Sequence, residues 1–418
     1  MVRRDQRRRD GGQRGTRRIS SLHRWRGPQR TILMRHRVDP TERLRAVQAA
    51  TSPTELTAAL GDSSPEVVRT AIHRLVEMEG PGAAGALRAR LFDVDLLVVA
   101  DIARALREIG DDGVVEAAIG GLSDPRSSRR LAAVRALSML GQQAVEPLRH
   151  ALGDAVGGVR AAALDALTRL EDGIGASAGA DCARLVCDPV AHVRVAAVRA
   201  VARLVPRPGA MLAPAVRDDD RLVRLAVAEH VARLPEQAAR MLLEDRNARV
   251  REAAARGAGR REVGALAVLL ADDPARDVRR AAAHALGAIR DERAAALLLP
   301  ALEDRDALTR AAVLHELEHL LSRQGVVRQL CDELANERVE RRRAVVYALA
   351  RLDAREAAAD VSRLAADPDP EVRLALIHSA PALFDEPEPL MRYLSEDPDQ
   401  AVCDAALMWL LRAPRSGS

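Results

Sequence analysis

The sequence predicts an all-α protein, an α-solenoid of about twelve short helical hairpins, and three observations carry that prediction. One residue pattern recurs at spacings of 27 to 34 residues through nearly the whole chain. An Asp stands at a fixed place in each copy, where a helix start is due. Hydrophobic residues make up 48% of the 418 residues while aromatics make up only 1%, so Ala, Leu and Val must do the packing. A compact core leans on large aromatic side chains, whereas small helix-favouring residues suit closely stacked helices.

The register is set by an anchor position held by Arg130, Arg160, Arg194, Arg224, Arg251, Arg279, Arg310, Arg342 and Arg373, extended to Val68, Val99 and Cys403. Six residues before each anchor stands Asp, from Asp62 and Asp93 through to Asp367 and Asp397, except that Asn336 takes the place before Arg342. Pro follows several of them, as at Pro125, Pro189 and Pro274. Asp is a favoured N-cap and Pro a favoured first helical residue, so the motif is expected to open a helix. Positions three, four and seven past the anchor are apolar in every repeat, which makes one buried stripe. Two past the anchor, Ala recurs in ten of the twelve repeats and lets neighbouring repeats approach closely. Shorter apolar segments ahead of the Asp, such as residues 143–152 and 292–302, supply the partner helix of each hairpin.

The succession of Asp, then Val-Arg, then an Ala-rich run ending in Leu resembles the short HEAT-like repeats named after phycobilisome lyases, over residues 55–412. The resemblance implies a charged ladder in which the anchor Arg of one repeat meets the Asp of its neighbour, a pairing suited to the planar guanidinium fork. It does not choose a function, because such repeats occur in lyases, hydroxylases, adaptors and transport factors.

Two segments differ in charge. Residues 1–37 hold 13 Arg against Asp5 and Asp10, a net of +11, so the formal total of +4 leaves −7 for residues 38–418. The first segment is expected to be a disordered Arg-rich tail and the second the solenoid. Two readings fit the tail: an arm that binds nucleic acid, or sequence upstream of a true start at Met34. All 64 basic residues are Arg, the mark of a GC-rich genome, which lowers the meaning of any single one. The four cysteines form no C-x-x-C pair, and a reduced cytoplasmic location is expected. No apolar run reaches membrane length, and no apolar segment follows the twin Arg at 17–18, so neither a membrane partner nor an export signal is expected.

The sharpest local string is His315-Glu316-Leu317-Glu318-His319, an H-E-x-x-H that could place His315 and His319 as metal ligands one helical turn apart. It lies inside a regular repeat, with no third ligand at the spacing of a zinc peptidase, so a solvated helix face is expected and no metal or cofactor. A deoxyhypusine-hydroxylase-like oxidoreductase is the enzymatic alternative, since that di-iron enzyme has similar repeats. Its His-Glu pairs fall one and two residues past the anchor, where this chain has no His. The remaining candidate is a row five and nine past the anchor: Arg104, Arg135, Arg169, Arg199, Arg203, Arg233 and Arg256. If the second helices line the concave side, these residues form a ridge roughly 50 Å long at the spacing of packed helices. A non-enzymatic scaffold that binds a protein with an acidic segment is the expected function. Binding to a nucleic-acid backbone is the second alternative, weakened by the acidic body and the scarcity of aromatics.

Overall fold

The computed structural model describes residues 39–92, 95–170, 178–290 and 292–412. They are helical throughout, with no strand among the described residues. The helices group into two compact units, residues 1–144 and 145–418, and in each the hairpins stack as an α-solenoid. The Arg-rich tail and Asp93 lie outside the described residues.

The first unit holds three hairpins among the described residues, whose second helices are Pro65–Glu79, Leu96–Glu108 and Ser127–Leu137. An additional helix, Pro40–Gln48, packs ahead of them. The second unit holds nine hairpins among the described residues, from Val145–Ala151 with Gly157–Arg169 to Glu388–Leu394 with Gln400–Arg412. The apolar stripe is where the periodicity puts it. Every residue three past the anchor, from Ala71 to Ala406, is buried, and so is every residue four past except Leu407. Leu407 lies on Gln400–Arg412, the last second helix among the described residues. Full burial of one such Leu contributes about 1.5–3 kcal/mol.

The Asp row works differently from the expectation of an N-cap. In five of the nine hairpins of the second unit a short 3-10 turn ends the first helix one residue before the Asp or Asn of the row, as in Leu185–Cys187 before Asp188 and Leu299–Glu303 before Asp304. The Asp amide donates back into that turn, and its Oδ1 accepts the amide of the residue two further on, at 2.9 Å for Val190 and 2.7 Å for Asp306. The second helix starts one residue after that acceptor pair closes. The Asp therefore shapes the corner between the two helices. The N-cap is the residue four before the anchor, and Asp95, Asp220, Asn247, Asp306 and Asp369 each accept an amide of the first turn there. Pro125, Pro189 and Pro274 accordingly sit in the corner and not at a first helical position.

Candidate functional site

The anchor Arg residues are spent on structure. Arg224 shows the geometry: Nε and Nη2 donate to Oδ2 and Oδ1 of Asp245 in the next repeat at 2.7 and 3.2 Å, while Nη1 donates to the carbonyls of Asp218 and Asp219 in its own corner. One guanidinium thus ties two repeats together. The same bidentate pairing joins Arg160 to Asp188, Arg194 to Asp218, Arg251 to Asp273 and Arg279 to Asp304. It joins Arg342 to Asp367 and Arg373 to Asp397 as well. Charge-assisted forks of this kind are short and directional. Burial alone would push the Asp188 carboxyl up, but the Arg160 hydrogen bonds and the Val190 amide outweigh it and hold it below its ordinary range. For Asp397, the Arg373 hydrogen bonds lead the lowering. The ladder has an additional rung in the first unit, where Arg43 donates Nε and Nη2 to Asp62 at 2.9 and 3.2 Å. Arg43 was hidden by its lack of an Asp six residues earlier, where Arg37 stands.

The ridge residues divide into two kinds. Arg203 donates to the Thr168 carbonyl at 3.1 Å, and Arg233 donates to the carbonyls of Ala202, Val205 and Pro206 at 2.6, 2.8 and 3.3 Å. Both tie down the carbonyl end of the preceding second helix, where acceptors have no intrahelical donor. Arg261 does the same for Ala232 and Leu234, and Arg74 for Gln48 and Ala50. Arg256 pairs with Glu252 on its own helix, and Arg104 lies 3.7 Å from Asp101. Arg135, Arg169 and Arg199 remain, half-buried in the first case and exposed in the other two, their guanidinium groups with no hydrogen-bond or ion-pair partner among the described residues. Arg135 belongs to the first unit, Arg169 and Arg199 to the second.

His315 and His319 are exposed on the helix Ala307–Leu320, their rings edge to face with centroids 4.4 Å apart. Glu316, the acid that peptidase chemistry would require as a base, instead meets His284 of the previous repeat at 2.7 Å from its Nδ1. Gly287 makes room for that contact, since a Cβ there would lie 1.9 Å from Glu316 Oε2. No group of three or more His, Cys, Asp or Glu among the described residues is placed to hold a metal ion. All four cysteines are free. Burial pushes the Cys182 thiol up to about 12 and the Cys331 thiol up to about 11, which leaves both as poor nucleophiles. No helix among the described residues is long and apolar enough to cross a membrane.

One interruption of the ladder opens a groove. Asn336 occupies the place of the Asp that Arg310 would meet, and its Nδ2 donates to Glu333 Oε2 at 2.9 Å. Arg310 keeps only the contact to its own corner, Nη1 to the Asp304 carbonyl at 2.7 Å. Successive second helices pack directly elsewhere in this unit, but Ala307–Leu320 and Val339–Arg351 part. Val339–Arg351 leans on the 3-10 turn Leu299–Glu303 instead, through Arg338 and Arg341, which both hold the Glu303 carboxylate. Between the parted helices lies an open groove of about 620 Å³ lined by Arg310, Arg343, Arg351, Tyr347 and a wall of Ala and Leu. The sequence signal was the one Asn in a row of Asp. What it does to the packing of the next helix was not legible.

Comparison with known proteins bears on the repeats. The family model described as HEAT repeats matches residues 93–168 and 237–318. No curated protein matches the sequence. Among solved structures, importin beta is 13% identical over 88% of this chain and 63% of that chain, with a TM-score of 0.46. Kap121p bound to Pho4p is 12% identical over 91% of this chain and 48% of that chain, with a TM-score of 0.46. Human deoxyhypusine hydroxylase in complex with glycerol is 22% identical over 59% of this chain and 99% of that chain, with a TM-score of 0.26. This chain therefore spans less than two thirds of the importin beta chain and about half of the Kap121p chain. The repeats that the Asp and Arg rows mark out are matched as HEAT repeats at residues 93–168 and 237–318.

Proposed function

We propose that this protein is a non-enzymatic scaffold that binds a protein partner carrying an acidic segment along the exposed faces of its second helices. One observation carries the reading: Arg135, Arg169 and Arg199 stand on those faces with no carboxylate or carbonyl to neutralise them, in a chain that commits most of its other repeat-positioned Arg to internal bonds. An unpaired guanidinium offers its fork to carboxylates, and a set of them steers an acidic partner. Protein is favoured over nucleic acid because the described body carries Asp165 and Glu229 at the same register as the free Arg, which a polyphosphate backbone would meet as repulsion. A cytoplasmic location belongs to the same proposal and is supported by four unpaired thiols.

The test is capture of partners from the native host by the full chain and by a variant with Arg135, Arg169 and Arg199 changed to Glu. Capture is expected to weaken with salt, since exposed charges are screened over about 8 Å at physiological ionic strength. It is expected to disappear in the triple variant while the helical circular dichroism holds. Undiminished capture by the triple variant refutes the reading.

A further inference from the structure

The groove beside Asn336 has a chemistry that the scaffold reading does not use. Seven rungs of this chain show what an anchor Arg does with Nε and Nη2: it holds one carboxylate bidentately. Arg310 has the same position in its helix and the same Nη1 contact to its own corner carbonyl, yet Nε and Nη2 have no partner among the described residues. Asn336 keeps the corner itself intact, its Oδ1 accepting the Arg338 amide at 3.0 Å as the Asp residues do two places along. Its other side-chain atom is an N–H donor turned to Glu333, so it offers Arg310 no second acceptor. The rung is missing its carboxylate, and the space is open because the next helix has moved away.

The rest of the groove narrows the occupant. Arg351 is exposed with no partner among the described residues, and the buried Nε of Arg343 has none either, although its Nη2 lies 3.4 Å from Glu371. Of the acidic groups on the wall, Asp304 is neutralised by Arg279 and Glu303 by Arg338 and Arg341, which leaves Glu340 at the rim. Ala311, Leu314 and Ala344 form an apolar wall, and Tyr347 is 45% exposed beside it. A small anion would use the cations and waste the wall. A peptide with a carboxylate next to an apolar side chain would use both.

We propose that this groove is a docking slot for an acidic peptide segment of a partner protein, one of whose Asp or Glu side chains completes the ladder on Arg310 while a neighbouring apolar residue packs against Leu314 and Tyr347. The slot deepens the scaffold reading and rests on it for the class of ligand, but it uses none of the three free Arg of the exposed faces. The chain can also supply the missing carboxylate itself: in Asn336→Asp the introduced side chain pairs with Arg310 and fills the slot from within.

The experiment is fluorescence anisotropy on the full chain with a fluorescein-labelled octapeptide alternating Glu and Leu, against the same peptide with Gln for Glu. Wild type is expected to bind the Glu peptide at least tenfold more tightly than the Gln peptide. Asn336→Asp is expected to weaken the Glu peptide at least tenfold and to raise the melting temperature, as an added rung should. Arg310→Gln is expected to weaken binding similarly with no rise in melting temperature, and it carries the test if Asn336→Asp does not fold. Equal affinity for the two peptides, absence of binding, or wild-type affinity in Arg310→Gln overturns the slot. Binding that is lost only in the Arg135, Arg169 and Arg199 triple variant overturns the slot and leaves the scaffold reading standing.

Discussion

Removing one rung of the ladder is the most direct test of what holds the repeats together, and Asp245→Ala is the sharpest form of it. The Arg224 and Asp245 side chains are 6% and 7% exposed, so the pair is buried. The substitution removes the acceptor for two charge-assisted hydrogen bonds, at 2.7 and 3.2 Å, and for the Asn247 amide at 2.8 Å. Arg224 is left with a full charge, its Nη1 still bonded to two carbonyls and its Nε and Nη2 facing an apolar gap. Breaking one partner of a buried pair typically costs about 3–5 kcal/mol, most of it the penalty of the charge left behind. Removing that charge too should therefore restore part of the loss. Arg224→Met with Asp245→Ala is expected to be at least about 1 kcal/mol more stable than Asp245→Ala alone. Urea titration followed by circular dichroism at 222 nm measures both. A loss below about 1 kcal/mol for Asp245→Ala, or a double variant no better than it, would refute the claim that the ladder carries the interface.

Further expectations follow from the same geometry. Arg233→Ala removes the donor to three carbonyls and should cost about 1–3 kcal/mol in the same titration, whereas Arg199→Ala, which has no partner among the described residues, should stay within about 0.5 kcal/mol. Changing His315 and His319 together to Ala should also stay within about 0.5 kcal/mol, and metal analysis of the protein purified without chelator should find no stoichiometric zinc or iron lost in that variant. Asp188, Asp218 and Asp397 have depressed carboxyl values in the folded state. Their contribution is therefore fully present above the ordinary carboxylate value of about 4 and is lost as pH falls through the folded values. The melting temperature should fall slightly between about pH 7 and 5, where burial of His230 disfavours its protonation, and steeply below about 4. A decline that is complete before about pH 5 would point to histidine instead of the ladder.

Much of this protein was legible in the sequence because a repeat states each physical requirement many times over. The three, four and seven positions past the anchor predicted the buried stripe from Ala71 to Ala406, since an apolar residue kept in every copy at helical spacing has nowhere to face but the neighbouring helix. The ladder was legible once the Asp and Arg rows were seen at constant separation. Position within the helix was not: Asp188 accepts the amide of Val190 and sits in the corner, two residues before the cap, because the 3-10 end of the preceding helix holds its backbone extended there. Partners of the surface Arg were equally hidden. Arg199 and Arg203 look alike in sequence, four residues apart on one helix, but only Arg203 comes within reach of a carbonyl, at Thr168 of the previous repeat. The groove at Arg310 shows the division most clearly. The sequence by itself determined that Asn336 cannot act as the second acceptor of a bidentate pair with its Nδ2, because that atom is a donor. Only the tertiary structure decided the consequence, because Arg338 and Arg341 found Glu303 and drew the next helix away, leaving Arg310 with an open fork and a space in front of it.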